Sequence, residues 1–190
     1  MVEEIRSDIL AGVAQNATAV DADDERIVTA QLGRRPRGFV GVGARCVCGA
    51  PLVTITAPRL PDGTPFPTLF YLTQPWLVKE MSRLESTGVM AQFTRDLGSD
   101  DELALNHRSA HMDYVARRAL LGDVPEISGV SAGGMPDRVK CLHALAAYAL
   151  SAGSGVCVVG DRALSMAGWD ATECHCAADQ RGSRGVALKG

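Results

Sequence analysis

The chain has 190 residues, a hydrophobic fraction of 46% and a formal net charge of −3. These values are typical of a globular protein with one core. The sequence has no apolar run long enough to cross a bilayer, and it opens with acidic rather than basic residues. We therefore expect a cytoplasmic protein without a membrane span, in which the six cysteines are free thiols or metal ligands rather than disulfides.

Charge is unevenly distributed along the first third of the chain. Residues 1 to 26 hold seven acidic residues and two arginines, whereas residues 27 to 61 hold five arginines and no acid. A basic block of this kind can face nucleic acid or a phosphorylated partner. Because its one aromatic residue is Phe39, it offers few stacking surfaces, and we do not expect nucleic-acid binding.

The same region also predicts the first elements. Residues 1 to 19 have the apolar spacing of an amphipathic helix, and the acidic cluster from Asp21 caps a second helix that ends near Leu32. Residues 39 to 48 and 52 to 56 alternate as two strands, with the turn Gly49-Ala-Pro51 between them. These two strands are predicted to form a hairpin.

Later elements are mainly helical. Residues 68 to 73 are rich in aromatic and β-preferring residues and predict a third, central strand. Helices are predicted from Trp76 to about Ser86, from Asp101 to about Leu121, and around residues 161 to 167. Strands gathered early and helices gathered late predict an α+β fold, with a small antiparallel sheet of about three strands packed on several helices.

The segment from Ser131 to Leu150 is predicted to be the centre of this fold. It begins with a glycine-rich turn, and Pro136 is suited to the first position of a helix. After Lys140 it carries no charge, which predicts a buried central helix.

Three regions are predicted along the chain. Residues 1 to 30 form a helical extension, residues 31 to 168 form a single α+β domain, and residues 169 to 190 have little to bury and form a disordered tail. The motif Cys174-His-Cys176 lies in this tail, and we interpret it as incidental.

The start of the central helix is also a candidate anion site. Backbone amides at Gly133 and Gly134, with Arg138 and Lys140 nearby, could hold a phosphate or a carboxylate. The alternative is an ordinary capped helix start, since the complete phosphate-binding loop motif is absent.

Several cysteines and histidines have spacings that suit a metal. Cys141 and His143 are favoured zinc donors, but residues two apart on a continuous helix point in nearly opposite directions. Cys46 and Cys48 share one face of a strand and could form half of a site. No complete catalytic motif occurs, so the sequence leaves open whether the protein is an enzyme.

His107 and His111 lie four apart on one face of the predicted long helix, which is chelating geometry. The glutamate of the metalloprotease motif is missing, and exposed histidines are common on helices, so a structural role is favoured.

Six strings in the sequence resemble those of a bacterial family, the domain-of-unknown-function 501 family, over about residues 31 to 164. The strings are Arg45-Cys46, Pro58-Arg59-Leu60, residues 63 to 73, Ser82-Arg-Leu-Glu85, Ala110-His111 and Gly133 to Leu150. The family has no established activity. Its members are often encoded beside a septum-formation initiator and an exopolyphosphatase, which implies a setting in cell division.

The resemblance also implies ligands. Cys46, Cys141 and His143 match residues of the family that could hold zinc, and Cys48 or His111 is the expected fourth ligand. The fourth is open because this chain has Gln74 and Tyr148 where members often carry Cys or His.

Our leading hypothesis is an anion pocket that binds a phosphate-containing small molecule. The pocket would combine residues of the glycine turn with two arginines from the resembling strings, and its predicted members are Arg45, Arg59, Gly133, Gly134, Arg138 and Lys140. The alternative is a non-enzymatic interaction protein that binds a cell-division protein through its acidic first helix.

Overall fold

The computed structural model describes residues 7–182 and confirms the α+β class. In chain order the helices and strands are α1 (Ser7–Val13), α2 (Ala22–Leu32), β1 (Phe39–Arg45), β2 (Pro51–Thr56), β3 (Phe70–Leu72), α3 (Pro75–Glu85), α4 (Val89–Asp96), α5 (Asp101–Ala119), α6 (Leu142–Ala152) and α7 (Val158–Met166). Two single 3₁₀ turns lie at Pro125–Ile127 and Ala178–Gln180. The predicted helix over residues 1 to 19 corresponds to α1, and its first six residues lie outside the described residues.

The sheet is antiparallel and has the order β1-β2-β3. The predicted hairpin is confirmed as β1 and β2, but the prediction that β3 is central is wrong. The central strand is β2, because it pairs with both β1 and β3. Strand β3 is three residues long and, among the described strands, pairs with β2 alone. Every residue of β2 is buried, as expected for a strand with a neighbour on each side.

Helix α6 is the buried central helix that the sequence predicts. It packs against all three strands, α3 and α7, and none of its residues is exposed. Its start differs from the prediction, because the helix begins at Leu142 rather than at Pro136. Gly133 and Gly134 have φ values of 67° and 97°, and this backbone returns the chain so that the Gly133 carbonyl accepts hydrogen bonds from the Lys140 and Cys141 amides.

Three aromatic rings form the centre of the core beside α6. Phe70 stacks on Tyr148 with ring centroids 5.7 Å apart, and Tyr114 meets both rings edge-on. Each buried phenol has a hydrogen-bond partner: the Tyr114 oxygen accepts from the Leu69 amide at 2.6 Å, and the Tyr148 hydroxyl donates to the Asp113 carboxylate, with the Ala110 carbonyl oxygen 3.0 Å away. Tyr148 is therefore a fully satisfied core residue.

Both ends of the described chain pack on this core. Leu10 and Val13 of α1 are buried. After α7 the chain continues to residue 182, and its 3₁₀ turn packs against α2, where Arg26 donates to the Asp179 carbonyl at 3.1 Å. Residues 169 to 182 of the predicted tail thus contact the domain, and residues 183 to 190 lie outside the described part of the chain.

Helix α4 is not among the predicted elements. It has eight residues and begins after Gly88 without a side-chain capping bond, so the residue type that usually marks a helix start in a sequence is missing. Its Thr94 hydroxyl accepts a hydrogen bond from the Val139 amide at 3.0 Å, which fixes the loop that precedes α6.

Among residues 7–182, no helix has both the length and the apolar character that a membrane span requires.

His107 on α5 gives the fold a predicted dependence on pH. The side chain is 1% exposed, and its Nε2 lies 3.2 Å from the Arg138 carbonyl oxygen. Burial lowers the pKa of His107, so the unfolded chain binds this proton more readily than the folded chain does. The free energy of unfolding should therefore fall as pH decreases below about 6.5, the ordinary value for histidine.

Chemical denaturation between pH 5 and 8 measures this effect. In the His107→Gln variant, the free energy of unfolding should depend less steeply on pH below 6.5, since glutamine takes up no proton. An identical slope in the variant would show that other groups take up the proton on unfolding.

Candidate metal centres

Four cysteines that are far apart in the sequence converge at the turn between β1 and β2. Cys46 and Cys48 lie between β1 and β2, and Cys174 and Cys176 follow α7. Their four Sγ atoms all lie within 4.8 Å of one another. Sulfur atoms bound to one tetrahedral zinc ion are about 3.8 Å apart, given a Zn–S distance of about 2.3 Å. The four thiols are thus placed close to the spacing of a Cys₄ metal site.

The turn between β1 and β2 positions the first pair. The Cys46 amide donates to the Ala50 carbonyl at 2.9 Å, and the Gly49 amide donates to the Cys46 carbonyl at 2.8 Å. Gly49 has φ 87°, which allows the chain to reverse immediately after Cys48. Both cysteines are buried at 5% exposure.

The N-terminus of α3 positions the second pair. The Gln74 side-chain amide donates to the His175 carbonyl at 3.1 Å and lies 3.9 Å from the Cys176 sulfur. The Trp76 ring stacks on the His175 ring, with centroids 3.9 Å apart and planes 8° from parallel. Two side chains of one helix turn therefore hold the Cys174-His-Cys176 segment against the domain.

Neighbouring thiols change one another's acidity in this cluster. The hydrogen bond from the Cys176 thiol lowers the pKa of Cys46 to about 5. The same hydrogen bond, together with burial, raises the pKa of Cys176. The neighbouring thiol thus stabilises the Cys46 thiolate, and the negative charge of that thiolate makes it unfavourable for Cys176 to lose its proton as well. A bound cation would offset this repulsion between the two thiolates.

A second cluster lies beside the N-terminus of α6 and consists of Glu85, Cys141 and His143, whose ligand atoms also lie within 4.8 Å of one another. His143 Nδ1 is 3.0 Å from Glu85 Oε1 and 4.0 Å from Cys141 Sγ. Cys141 and Glu85 raise the pKa of His143 to about 9. All three residues are half-buried, in contrast to the four-cysteine cluster.

The profile of a protein family described as "Protein of unknown function (DUF501)" matches residues 42–165. This chain belongs to the DUF501 family. No curated protein and no solved structure matches it. The family match includes Cys46, Cys48 and the whole of the second cluster, whereas Cys174 and Cys176 lie beyond the matched residues.

The predicted metal residues of this DUF501 protein are divided between the two clusters. Cys46 and the proposed fourth ligand Cys48 belong to the four-cysteine cluster, and Cys141 and His143 belong to the other. His111, the other proposed fourth ligand, is in neither cluster of the described residues, and its Nδ1 lies 2.8 Å from the Ser131 hydroxyl. The residues expected to form a single centre therefore lie in two separate clusters.

Two parts of this arrangement differ from the predictions made from the sequence. Cys174 and Cys176 are interpreted as incidental because their segment has few apolar residues, although a second Cys-x-Cys motif matching Cys46-Val-Cys48 is a signal that could have found them. The geometric objection to Cys141 and His143 does not apply, because Cys141 precedes α6 and has extended backbone, with φ −152° and ψ 110°.

The structure places the residues of the predicted anion pocket in other contacts. Arg45 pairs with Asp24 at 2.7 Å in a half-buried position, and Arg59 forms two hydrogen bonds with Glu126. The Gly133 carbonyl accepts from two backbone amides of its own loop, including that of Lys140. The Arg138 amide donates a hydrogen bond to the Gly134 carbonyl, and this bond closes the same loop.

The phosphate pocket therefore stays a prediction. Titration with inorganic phosphate checks it, because a ligand that binds only the folded state stabilises it by RT ln(1 + [L]/Kd) and so raises the midpoint of thermal unfolding as its concentration increases. A midpoint independent of phosphate, at a constant ionic strength, would contradict the pocket.

Proposed function

We propose that this DUF501 protein is a zinc-binding protein in which Cys46, Cys48, Cys174 and Cys176 hold one structural zinc ion. The observation that supports this proposal is the convergence of four sulfur atoms within 4.8 Å of one another. Four thiolates in a tetrahedral arrangement are a donor set typical of zinc. Without an ion the cluster favours one thiolate, at Cys46, and burial and neighbouring charge raise the pKa of Cys48 and Cys176, whereas a zinc ion would stabilise all four thiolates.

Burial supports a structural rather than a catalytic role for this proposed site. Cys46, Cys48 and Cys176 are buried, and four protein ligands complete the coordination of zinc. A catalytic zinc keeps one position for water or substrate, and this cluster has no such position when all four cysteines bind.

The role of the ion is to fasten the segment after α7 to the β1–β2 turn. A Cβ atom added at Gly182 would come within 2.6 Å of the Gly49 backbone, so the two chain segments lie in close contact. Residues 169 to 182 bury few apolar groups, and a cross-link through zinc supplies the attachment that a hydrophobic interface would otherwise provide. The predicted association with a cell-division protein stays a prediction from the family resemblance.

Metal analysis combined with hydrogen exchange tests this function. Full-length protein purified without chelators should retain zinc through gel filtration. Removal of the zinc with a strong chelator should increase hydrogen exchange in residues 169 to 182 and in the β1–β2 turn much more than in α6. Exchange in these two segments that is the same with and without zinc would contradict the proposal.

A further inference from the structure

The second cluster differs from the four-cysteine cluster in having three ligands and an adjoining cavity. Glu85 is the last residue of α3, Cys141 precedes α6, and His143 lies in the first turn of α6. Three elements of the chain thus bring a carboxylate, a thiol and an imidazole within 4.8 Å of one another. Each of these groups is an established type of zinc ligand.

Neighbouring groups already hold the ligands in place. His143 Nε2 lies 3.1 Å from the Val78 carbonyl and 3.1 Å from the Ser82 hydroxyl. Because a carbonyl oxygen only accepts, Nε2 carries a proton that it donates to Val78, and Nδ1 faces Glu85 and Cys141, where a metal ion can take the place of its proton. A histidine that binds metal through one nitrogen and donates its other N–H to a carbonyl is the usual arrangement in metal sites.

Glu85 is also fixed, because its Oε1 accepts a hydrogen bond from the Leu142 amide at 2.7 Å. Cys141 is the N-cap residue of α6, but within the described chain its thiol makes no capping hydrogen bond to the backbone of this helix. The arrangement therefore holds the imidazole and the carboxylate rigidly and leaves the thiol available.

The cluster opens into a cavity of about 440 Å³ between β3, α3 and the loop before α6. Cys141 and His143 line this cavity, and the rest of its wall is mainly apolar, with Phe70, Leu72 and Val78 among its residues. An ion bound to three protein ligands would have its fourth position facing this space. Three protein ligands with one open position is the composition of catalytic rather than structural zinc sites.

We propose that Glu85, Cys141 and His143 bind a second divalent ion of the zinc type, whose open position faces the cavity. The ion replaces the protons on His143 Nδ1 and on the Cys141 thiol. Its fourth ligand is water or the oxygen donor of a small molecule with an apolar body, such as a carbonyl or hydroxamate group, which the apolar walls would enclose. This inference does not depend on the four-cysteine site, because the two clusters share no residue.

Cobalt spectroscopy tests the second site. Full-length protein is first given one equivalent of zinc and then titrated with Co²⁺, whose visible absorption reports tetrahedral coordination. The wild type should bind a further equivalent of cobalt with intense bands. The His143→Gln and Cys141→Ala variants should lose this equivalent, whereas the control His111→Gln should retain it.

Acetohydroxamate tests the open position. It is a small oxygen chelator, and it should change the bands of the cobalt-loaded wild type by occupying the fourth position. The proposal would be contradicted if the wild type bound no second equivalent of cobalt, or if the His143→Gln and Cys141→Ala variants bound as much cobalt as the wild type. Glu85 and His143 would then form only an ion pair at the start of α6. A spectrum unaffected by acetohydroxamate would overturn the open position.

The His143→Gln and Cys141→Ala variants also distinguish this second site from the proposed four-cysteine zinc site. Both leave the four cysteines intact, so the first equivalent of zinc should remain bound in each. Cys141→Ala removes no capping hydrogen bond from the start of α6, only the long contact of Sγ with His143 Nδ1 at 4.0 Å, and it serves as the variant that keeps the fold if His143→Gln destabilises it.

Discussion

Replacing Cys176 by serine is expected to remove the structural zinc ion and to lower the free energy of unfolding by about 4 kcal/mol. This value is the stabilisation by a ligand whose free concentration is about a thousand times its dissociation constant. A serine hydroxyl is a poor zinc ligand, and the three remaining thiols lose the fourth member of their cluster. Zinc content by elemental analysis and denaturant unfolding at a fixed free zinc concentration measure the two effects.

Cys157→Ala is the matched control for this variant. Cys157 is fully buried at the start of α7 and belongs to neither metal cluster of the described residues. Its replacement removes a core sulfur and should therefore destabilise the fold, but the protein should keep its full zinc content. If Cys176→Ser retained as much zinc as Cys157→Ala, the four-cysteine site would not be the zinc site.

The second large effect is expected for Gly160→Ala, which should lower the free energy of unfolding by about 3 kcal/mol or prevent folding. Gly160 lies in α7 where this helix crosses α6, and an added Cβ would stand 2.2 Å from the Leu145 carbonyl oxygen and 2.8 Å from its carbon. These are backbone atoms of the buried central helix, so they cannot move aside as a side chain would. Alanine improves intrinsic helix propensity by about 1 kcal/mol, but separating α6 from α7 costs more than this gain.

Gly12→Ala in α1 serves as the control. There the added Cβ would meet only the end of the Leu120 side chain at 3.0 Å, which can rotate away. Its effect on the free energy of unfolding should stay within about 1 kcal/mol. Thermal or denaturant unfolding of both variants measures the difference, and equal stability of the two would contradict the close crossing of α6 and α7.

Local signals in the sequence predict most of the elements of the fold. The Asp21 capping residue and the Gly33 C-cap place α2 correctly, because the groups that start and end a helix lie within a few residues of it. The absence of charge after Lys140 predicts a buried helix, since a segment without polar side chains has little to present to water. The start of α6 is misplaced because the loop that closes through the Gly133 carbonyl uses residues that also suit a helix start.

The two candidate metal clusters illustrate what local patterns cannot show. Cys46 and Cys48 are predicted as half of a site from their spacing alone, and their partners lie near the other end of the described chain. Nothing in the composition of residues 169 to 182 predicts that Trp76 and Gln74 hold this segment in place. These contacts join residues that are far apart in the sequence, so the spacing of apolar residues along the chain cannot predict them.

The sequence by itself determined the α+β class, the hairpin, the buried central helix and the presence of zinc-type ligands, because each follows from residues that are neighbours along the chain. Only the tertiary structure decided which ligands meet. The path of the chain after α7 brings Cys174 and Cys176 to the β1–β2 turn, and the end of α3 brings Glu85 to Cys141 and His143. Ligand geometry depends on distances of a few ångströms between separate elements, and such distances are set by how the core packs.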